Sequence, residues 1–420
     1  MKYFKVLLGL ALCTMICSCS SNGGQSKQEQ NSDEAVRLSM WDTNQEKVMK
    51  EIVADFEKEN PDIKVQIEMA SFKDHFTKLE TQYSGSVMPD IFFMNGPNFQ
   101  KFASNNVLEP LDDLVENKEI DLSNIPDALI DLYTYEGKLY GLPKDWDLTA
   151  LWYNKEIFDN AGVPYPTNDW TWDDLKNAAE KLNNPDEGIW AIASQAATQE
   201  GLYDTIPQNG GYIISEDAKK CGYNSKEAIE ATQIWIDLLK DGLSPDIQTQ
   251  TDTSAVELFK AGKLAMIYSA SWNVPEYMNS ENIKDKVDLV VMPKLKERAA
   301  TIHGLSYALS SQSKNKENAK KFLAYLSSKE VNDKWAKSGA VIPANEASLE
   351  IWTNAYPDIN LKAYIDELEY AKPYPISKNT SKWNYLETMY LNEIFALQKD
   401  VDTGLNELAE EINVKLQEEK

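Results

Sequence analysis

From residue 36 onward the sequence predicts an α/β protein, with parallel strands and helices packed on their faces. Three observations predict it. Short apolar runs alternate with segments whose apolar residues recur at helical spacing, the pattern of strand and helix units joined by right-handed crossovers. Of 420 residues, 42% are hydrophobic and 10% aromatic, enough to build cores for two or three domains. No fixed-period repeat is visible, which excludes a solenoid.

The elements follow in order. Val36 to Trp41 reads as a buried strand, and Thr43 can cap the next helix with Glu46 at the third position. Val48, Ile52 and Phe56 form an apolar stripe that ends at Asn60-Pro61. Ile63 to Met69 alternates as a strand, Phe72 to Tyr83 is a helix, and Pro89 to Asn95 is a third strand. A turn at Glu136-Gly137 marks a short hairpin. A second set comprises a strand at Leu148 to Tyr153, helices at Asn154 to Asn160 and Trp172 to Leu182, and a strand at Trp190 to Ser194. Glu227 to Leu239 is a helix and Leu264 to Ser269 a strand. Asp288 to Pro293 and Leu305 to Leu309 read as extended, and the chain from Asn315 is mostly helical.

The start of the chain has a different character. Two lysines, an apolar run from Val6 to Ile16 and small residues predict a secretory signal over residues 1–18, too short to span a membrane. Ile16-Cys17-Ser18-Cys19 resembles a bacterial lipobox, which makes Cys19 the expected lipidation site. Residues 19–34 contain no large apolar side chain and are expected to form a flexible tether. Beyond Cys19 only Cys221 remains, so no internal disulfide framework is available. Two histidines in the whole chain supply metal or triad chemistry poorly, and no nucleotide-binding or hydrolase motif is present. A net charge of −25 argues against nucleic acid as a partner.

A set of short segments carries more than a fold class: LSMWDTNQEK from Leu38, FEKENPDIKV from Phe56, PDIFFMN from Pro89, GKLYGLP from Gly137, ALWYNKEIFDNAGV from Ala150, TWDDL from Thr171, NGGYI from Asn209, LFKAGKLAMIYSASW from Leu258, GLSYALS from Gly304, and KPYPISKNTSKW ending at Trp383. In order and spacing they resemble family 1 of the bacterial extracellular solute-binding proteins, the maltose-binding-protein-like components of ABC importers. The resemblance implies a type II periplasmic-binding-protein-like fold, with two interlaced α/β lobes, a hinge and a ligand cleft between the lobes. One lobe is expected at residues 35–146 plus 263–308, and the other at 147–262 plus 309–420.

A sugar ring has a C–H face and polar edges, so its site needs flat aromatic rings beside carboxylates and amides. Trp41 and Asp42 end the first strand, where side chains reach the crevice, although Trp41 could equally seal the sheet edge. Asn95 and Asn98 flank the loop after the third strand, where the resemblance implies polar ligand contacts, with turn capping as the other reading of both. The resemblance aligns Asp147 with an acidic sugar contact of the maltose-binding proteins, with Asp145 as the competing acid. By the same resemblance Trp272 and Trp383 fall at cleft tryptophan positions, and Tyr203 falls in a segment that lines the second lobe. His303 is left unassigned.

The expected function is capture of a carbohydrate, most simply an oligosaccharide, and delivery to an ABC permease, with no covalent chemistry, no cofactor and no metal. The body is expected to be monomeric and anchored by lipid at the extracytoplasmic face of a cell membrane, of Gram-positive type. A receptor for a polyamine, metal or glycerol phosphate is the alternative, and a glycoside hydrolase the remote one, since nothing marks a carboxylate pair at catalytic separation.

Overall fold

The computed structural model describes residues 35–419; the expected signal segment, Cys19 and the tether lie outside them. The described residues form one compact unit containing two principal sheets. In the first sheet the strands run in the order Val65–Met69, Val36–Met40, Ile91–Asn95, Leu305–Leu309, Gly141–Pro143. The first three are parallel and Leu305–Leu309 is antiparallel to both of its neighbours. The second sheet runs Val287–Val290, Thr149–Asn154, Leu264–Ala270, Trp190–Ile192.

Each sheet has its own core. Leu38, Ile91, Phe92 and Leu309 pack with helix residues Ile52, Phe56 and Phe322 around the first sheet. Trp152, Ile267, Leu289, Trp235 and Leu408 belong to the core around the second. Of the apolar stripe read from the sequence, Ile52 and Phe56 face inward from helix Thr43–Glu59, while Met49 rather than the half-buried Val48 completes the buried face. Its cap differs from the expected one. Asp42, not Thr43, holds the N-terminus, accepting from Asn44 N at 2.8 Å and from Gln45 Nε2 at 2.6 Å.

The division of the chain between the sheets also differs from expectation. Residues 263–308 were expected with the first lobe, yet strands Leu264–Ala270 and Val287–Val290 hydrogen-bond into the second sheet. Leu264–Ala270 is buried on both faces, so its sequence has no alternation to show which sheet it joins. Residues from 309 were expected in the second lobe, yet Phe322, Leu323 and Trp335 of the next two helices pack in the first core. The chain passes between the sheets in three adjacent extended segments, around residues 144–147, 303–305 and 342–344.

These segments are tied to one another. Asp147 N donates to His303 O at 2.8 Å, Lys144 N to Leu305 O at 2.8 Å, and Ala344 N to Lys144 O at 3.1 Å. Asp145–Trp146 pairs with Ile342–Pro343. Gly304 is required by contact: a methyl group there would lie 2.2 Å from the Asp145 carbonyl oxygen. Lys144, with a fully buried side chain, meets Asp145 Oδ2 at 2.5 Å and lies 4.5 Å from the Trp335 ring centre. Asp145 Oδ1 in turn accepts from Leu305 N at 2.8 Å.

Candidate functional site

The crossing segments form the floor of a cavity of about 730 Å³ between the two sheets. That lies within the range of small-molecule sites, roughly 300–1,000 Å³. Its first wall is built at the carboxyl ends of the first sheet's parallel strands and from the helices that start there. Trp41 follows strand Val36–Met40, and Asn95 ends strand Ile91–Asn95 and caps helix Gly96–Ser104. The second wall comes from Gln199, the turn Ser271–Asn273, and Tyr374 and Asn384.

Six of the eight residues expected at a ligand line this cavity: Trp41, Asp42, Asn95, Asn98, Asp147 and Trp272. Trp41 is held by Phe72, His75, Phe76 and Phe93, with ring centres 4.8–5.8 Å away and interplanar angles of 53–85°. None of the four stacks parallel on the indole, and Trp41 stays half-buried. Trp272 is also half-buried, on a turn whose Ala270 N and Asn273 Nδ2 donate to Glu200 Oε1 at 2.9 and 3.0 Å. Asn95 Oδ1 accepts from Asn98 N and Nδ2, so the capping role read as an alternative is present at the cavity wall.

Asp147 is held at both oxygens. Gln199 Nε2 donates to Oδ1 at 2.5 Å, and His303 Nδ1 lies 3.3 Å from Oδ2. The other acids at the cavity are also partnered: Asp42 by its cap, Asp145 by Lys144, and Glu276 by Lys260 at 2.9 Å. The Lys260 hydrogen bond, then that of Asn44, holds the Glu276 carboxyl below the usual range. Asn44 Nδ2 reaches Glu276 Oε1 at 3.0 Å, joining the helix after the first strand to the helix after Trp272. Among the described residues no lysine or arginine lines the cavity.

Two expected residues are not at the cavity. Trp383 is fully buried, with its indole Nε1 donating to Ser377 Oγ at 2.9 Å. It lies on helix Thr380–Phe395, where one residue turns the side chain by about 100°. Asn384 therefore faces the cleft and Trp383 faces the core. Tyr203 is fully buried behind Tyr374, 5.1 Å between ring centres, and its hydroxyl meets the Glu387 carboxylate at 2.8 Å. The sequence reasoning missed Gln199, Tyr374, Asn384 and Glu276. Tyr374 and Asn384 fall in or beside the KPYPISKNTSKW segment, so the right stretch was marked with the wrong side chain. Gln199 sits in an irregular turn with no periodicity to flag it.

Two α/β units around a cleft, crossed three times by the chain, define a two-lobed solute-binding protein. The family model for bacterial extracellular solute-binding proteins matches residues 41–333, and the chain belongs to that family. It is similar to the galactooligosaccharide-binding protein of Bacillus subtilis (strain 168), 27% identical over 332 residues, 76% of this chain and 75% of that one. It is similar also to the arabinooligosaccharide-binding protein of the same organism, 24% identical over 83% of this chain and 81% of the relative. A solved ABC substrate-binding protein from Listeria monocytogenes, in complex with cycloalternan, superposes with a TM-score of 0.86 at 29% identity, covering 91% of this chain and 99% of that one.

Behind the second wall, Glu387 accepts from Tyr223 OH at 2.7 Å and from the cavity residue Asn384 at 2.7 Å. Burial pushes its carboxyl up to about 7 from 4.5, against the lowering by these hydrogen bonds. A carboxyl that holds its proton more tightly in the folded state stabilises the fold fully below about 4.5 and loses that contribution as pH rises through about 7. Glu387→Gln is therefore expected to remove up to about 3 kcal/mol of the fall in stability between pH 5 and pH 8. Urea denaturation at the two pH values measures it; an unchanged fall contradicts the assignment.

Proposed function

We propose that this protein captures a neutral oligosaccharide in the cleft and hands it to the permease of an ABC importer, without covalent chemistry. The observation that carries the proposal is the lining. Trp41, Phe72, Trp272 and Tyr374 offer aromatic surface for sugar C–H faces, and the polar groups among them are carboxylates and amides that accept or donate to hydroxyls. Several rings around about 730 Å³ favour more than one sugar unit over a monosaccharide. The ligands named for the relatives support the same class, oligosaccharides of different sugars. In this reading Trp41 and Trp272 are the stacking surfaces, and Asp147 is a charge-assisted acceptor from ligand hydroxyls. Asp42, Asn95 and Asn98 form the polar edge of the first wall. Tyr203 and Trp383 support the wall from behind.

The charge pattern weighs against the alternatives. A glycerol phosphate calls for cationic side chains or free helix-terminal donors, whereas among the described residues the lining has no lysine or arginine and the two helix starts at the first wall are capped by Asp42 and Asn95. A polyamine calls for unpaired carboxylates, whereas those of the cavity already have internal partners. Among the described residues no group of three or more His, Cys, Asp or Glu is placed to hold a metal ion.

The body is proposed to be monomeric and held at the extracytoplasmic face by lipid on Cys19, of the Gram-positive type. No helix among the described residues is long and apolar enough to cross a membrane. With Cys19→Ser, acyl labelling of the protein is expected to disappear and the protein to leave the membrane fraction; retained labelling contradicts the anchor.

The ligand reading is tested by a thermal-shift screen with galactooligosaccharides, arabinooligosaccharides, maltodextrins and cycloalternan, with spermidine as the cationic control, followed by calorimetry. A ligand bound only by the native state raises the melting temperature in a saturable way. An oligosaccharide is expected to give that shift, and Trp272→Ala to weaken its binding by about 1–3 kcal/mol. A cooperative melt with no shift from any sugar, or a shift from spermidine alone, overturns the reading.

A further inference from the structure

His303 is the one residue that touches both walls' machinery through a ring with two distinct nitrogens. It is buried on the cleft floor, under the Tyr374 ring at 4.8 Å. Gly96 N lies 3.2 Å from His303 Nε2. A backbone N–H can only donate, so Nε2 must present its lone pair. The proton of the neutral ring then sits on Nδ1, which donates to Asp147 Oδ2 at 3.3 Å. Gln199 from the second wall takes Oδ1. A continuous chain therefore runs from the first turn of helix Gly96–Ser104, through the imidazole and the carboxylate, to the opposite wall. The approach is close: a methyl at Gly96 would lie 3.3 Å from the His303 ring.

We propose that His303 is a positioning residue, whose neutral ring protonated on Nδ1 fixes the Asp147 carboxylate for ligand hydroxyls, and that a second proton, at Nε2, releases helix Gly96–Ser104 and weakens ligand binding. The proposal rests on Asp147 contacting ligand, as read under Proposed function. Its physical basis is the meeting of two donors. A protonated Nε2 would face the Gly96 N–H at a helix N-terminus, where the free N–H groups already concentrate positive charge. An imidazolium would also draw Asp147 Oδ2 more strongly, in competition with hydroxyl groups of the ligand.

The surroundings contain the opposing influences. Asp147 faces Nδ1, with Glu200 beyond it. Asp145 on the adjoining crossing segment is engaged by Lys144. On the helix, the charged side chain Lys101 is paired with Glu80. On the segment that ends at Tyr374, Lys372 faces Glu297 at 3.9 Å. The phenols of Tyr374 and Tyr133 are buried, which keeps them protonated and neutral.

The chain is suited to the test because it has two histidines. His75 is buried against Phe93 O at 3.0 Å, and burial pushes it down to about 4. Between pH 5 and pH 8 a nitrogen-detected histidine spectrum of the protein therefore reports changes at His303 apart from those at His75. Three results are expected. At pH 8 the His303 ring carries its proton on Nδ1. The affinity for the oligosaccharide found in the thermal-shift screen falls at least about fivefold from pH 8 to pH 5, with a midpoint matching the His303 titration. His303→Asn, which keeps an amide donor for Asp147 but cannot titrate, binds more weakly than wild type at pH 8 and loses the pH dependence through that midpoint.

A proton on Nε2 at pH 8 overturns the proposal from the wild-type spectrum alone. So does an affinity that stays flat through the titration, or a slope that persists in a folded His303→Asn, which would pass the effect to Glu200 or Glu387. Absence of carbohydrate binding at every pH overturns the ligand reading together with this one, whereas binding with the wrong tautomer or a flat profile overturns this one alone.

Discussion

The cleft depends on extended backbone lying against extended backbone where the chain crosses between the sheets. Segment 144–147 is bonded to 303–305 on one side and to 342–344 on the other. Gly304 permits an approach that any side chain would block. Because the same few residues end one sheet and begin the other, the floor of the cavity and the connection between the walls are one structure. Three short crossings, each antiparallel to its neighbour, constrain relative motion of the two sheets more than one linker would, and Asp145, Asp147 and His303 lie on them.

The polar groups of the cavity are held before any ligand arrives. Asp42 is fixed as a helix cap, Asp147 by Gln199 and His303, and Glu276 by Lys260. The turn carrying Trp272 is pinned by Glu200, and the Asn384 amide by Glu387. Pre-positioned acceptors lose little conformational freedom on binding, which favours affinity for a ligand whose own hydroxyls are many and weakly bonding. Lys144 and Lys260 offset the charges of Asp145 and Glu276, while Asp42 and Asp147 are held by hydrogen bonds.

The sequence made the alternation of strand and helix legible because apolar spacing is a local property. It also located Trp41 and Asp42, since side chains at the carboxyl ends of parallel strands face the crevice. Asn95, Asn98, Asp147 and Trp272 became legible only through resemblance to a family. The failures have a common physical origin. Leu264–Ala270 is apolar on both faces, so nothing local says which sheet it joins. Trp383 and Asn384 are adjacent on a helix, and only tertiary packing decides which of them faces the cleft. Gln199 and His303 act through partners distant in sequence, Asp147 and Gly96, which no spacing rule connects. Thr43 with Glu46 fits the capping-box pattern, but Asp42 caps the helix and also lines the cavity.

The central claim is that a carbohydrate lies between the two walls on the crossing segments. The most direct measurement is a crystal structure of the protein grown with an oligosaccharide at saturating concentration. The account predicts sugar density in the cavity, with a ring against Trp41 or Trp272 and hydroxyls within hydrogen-bond distance of Asp147. Sugar bound elsewhere on the surface, or an empty cavity at saturating ligand, would contradict it.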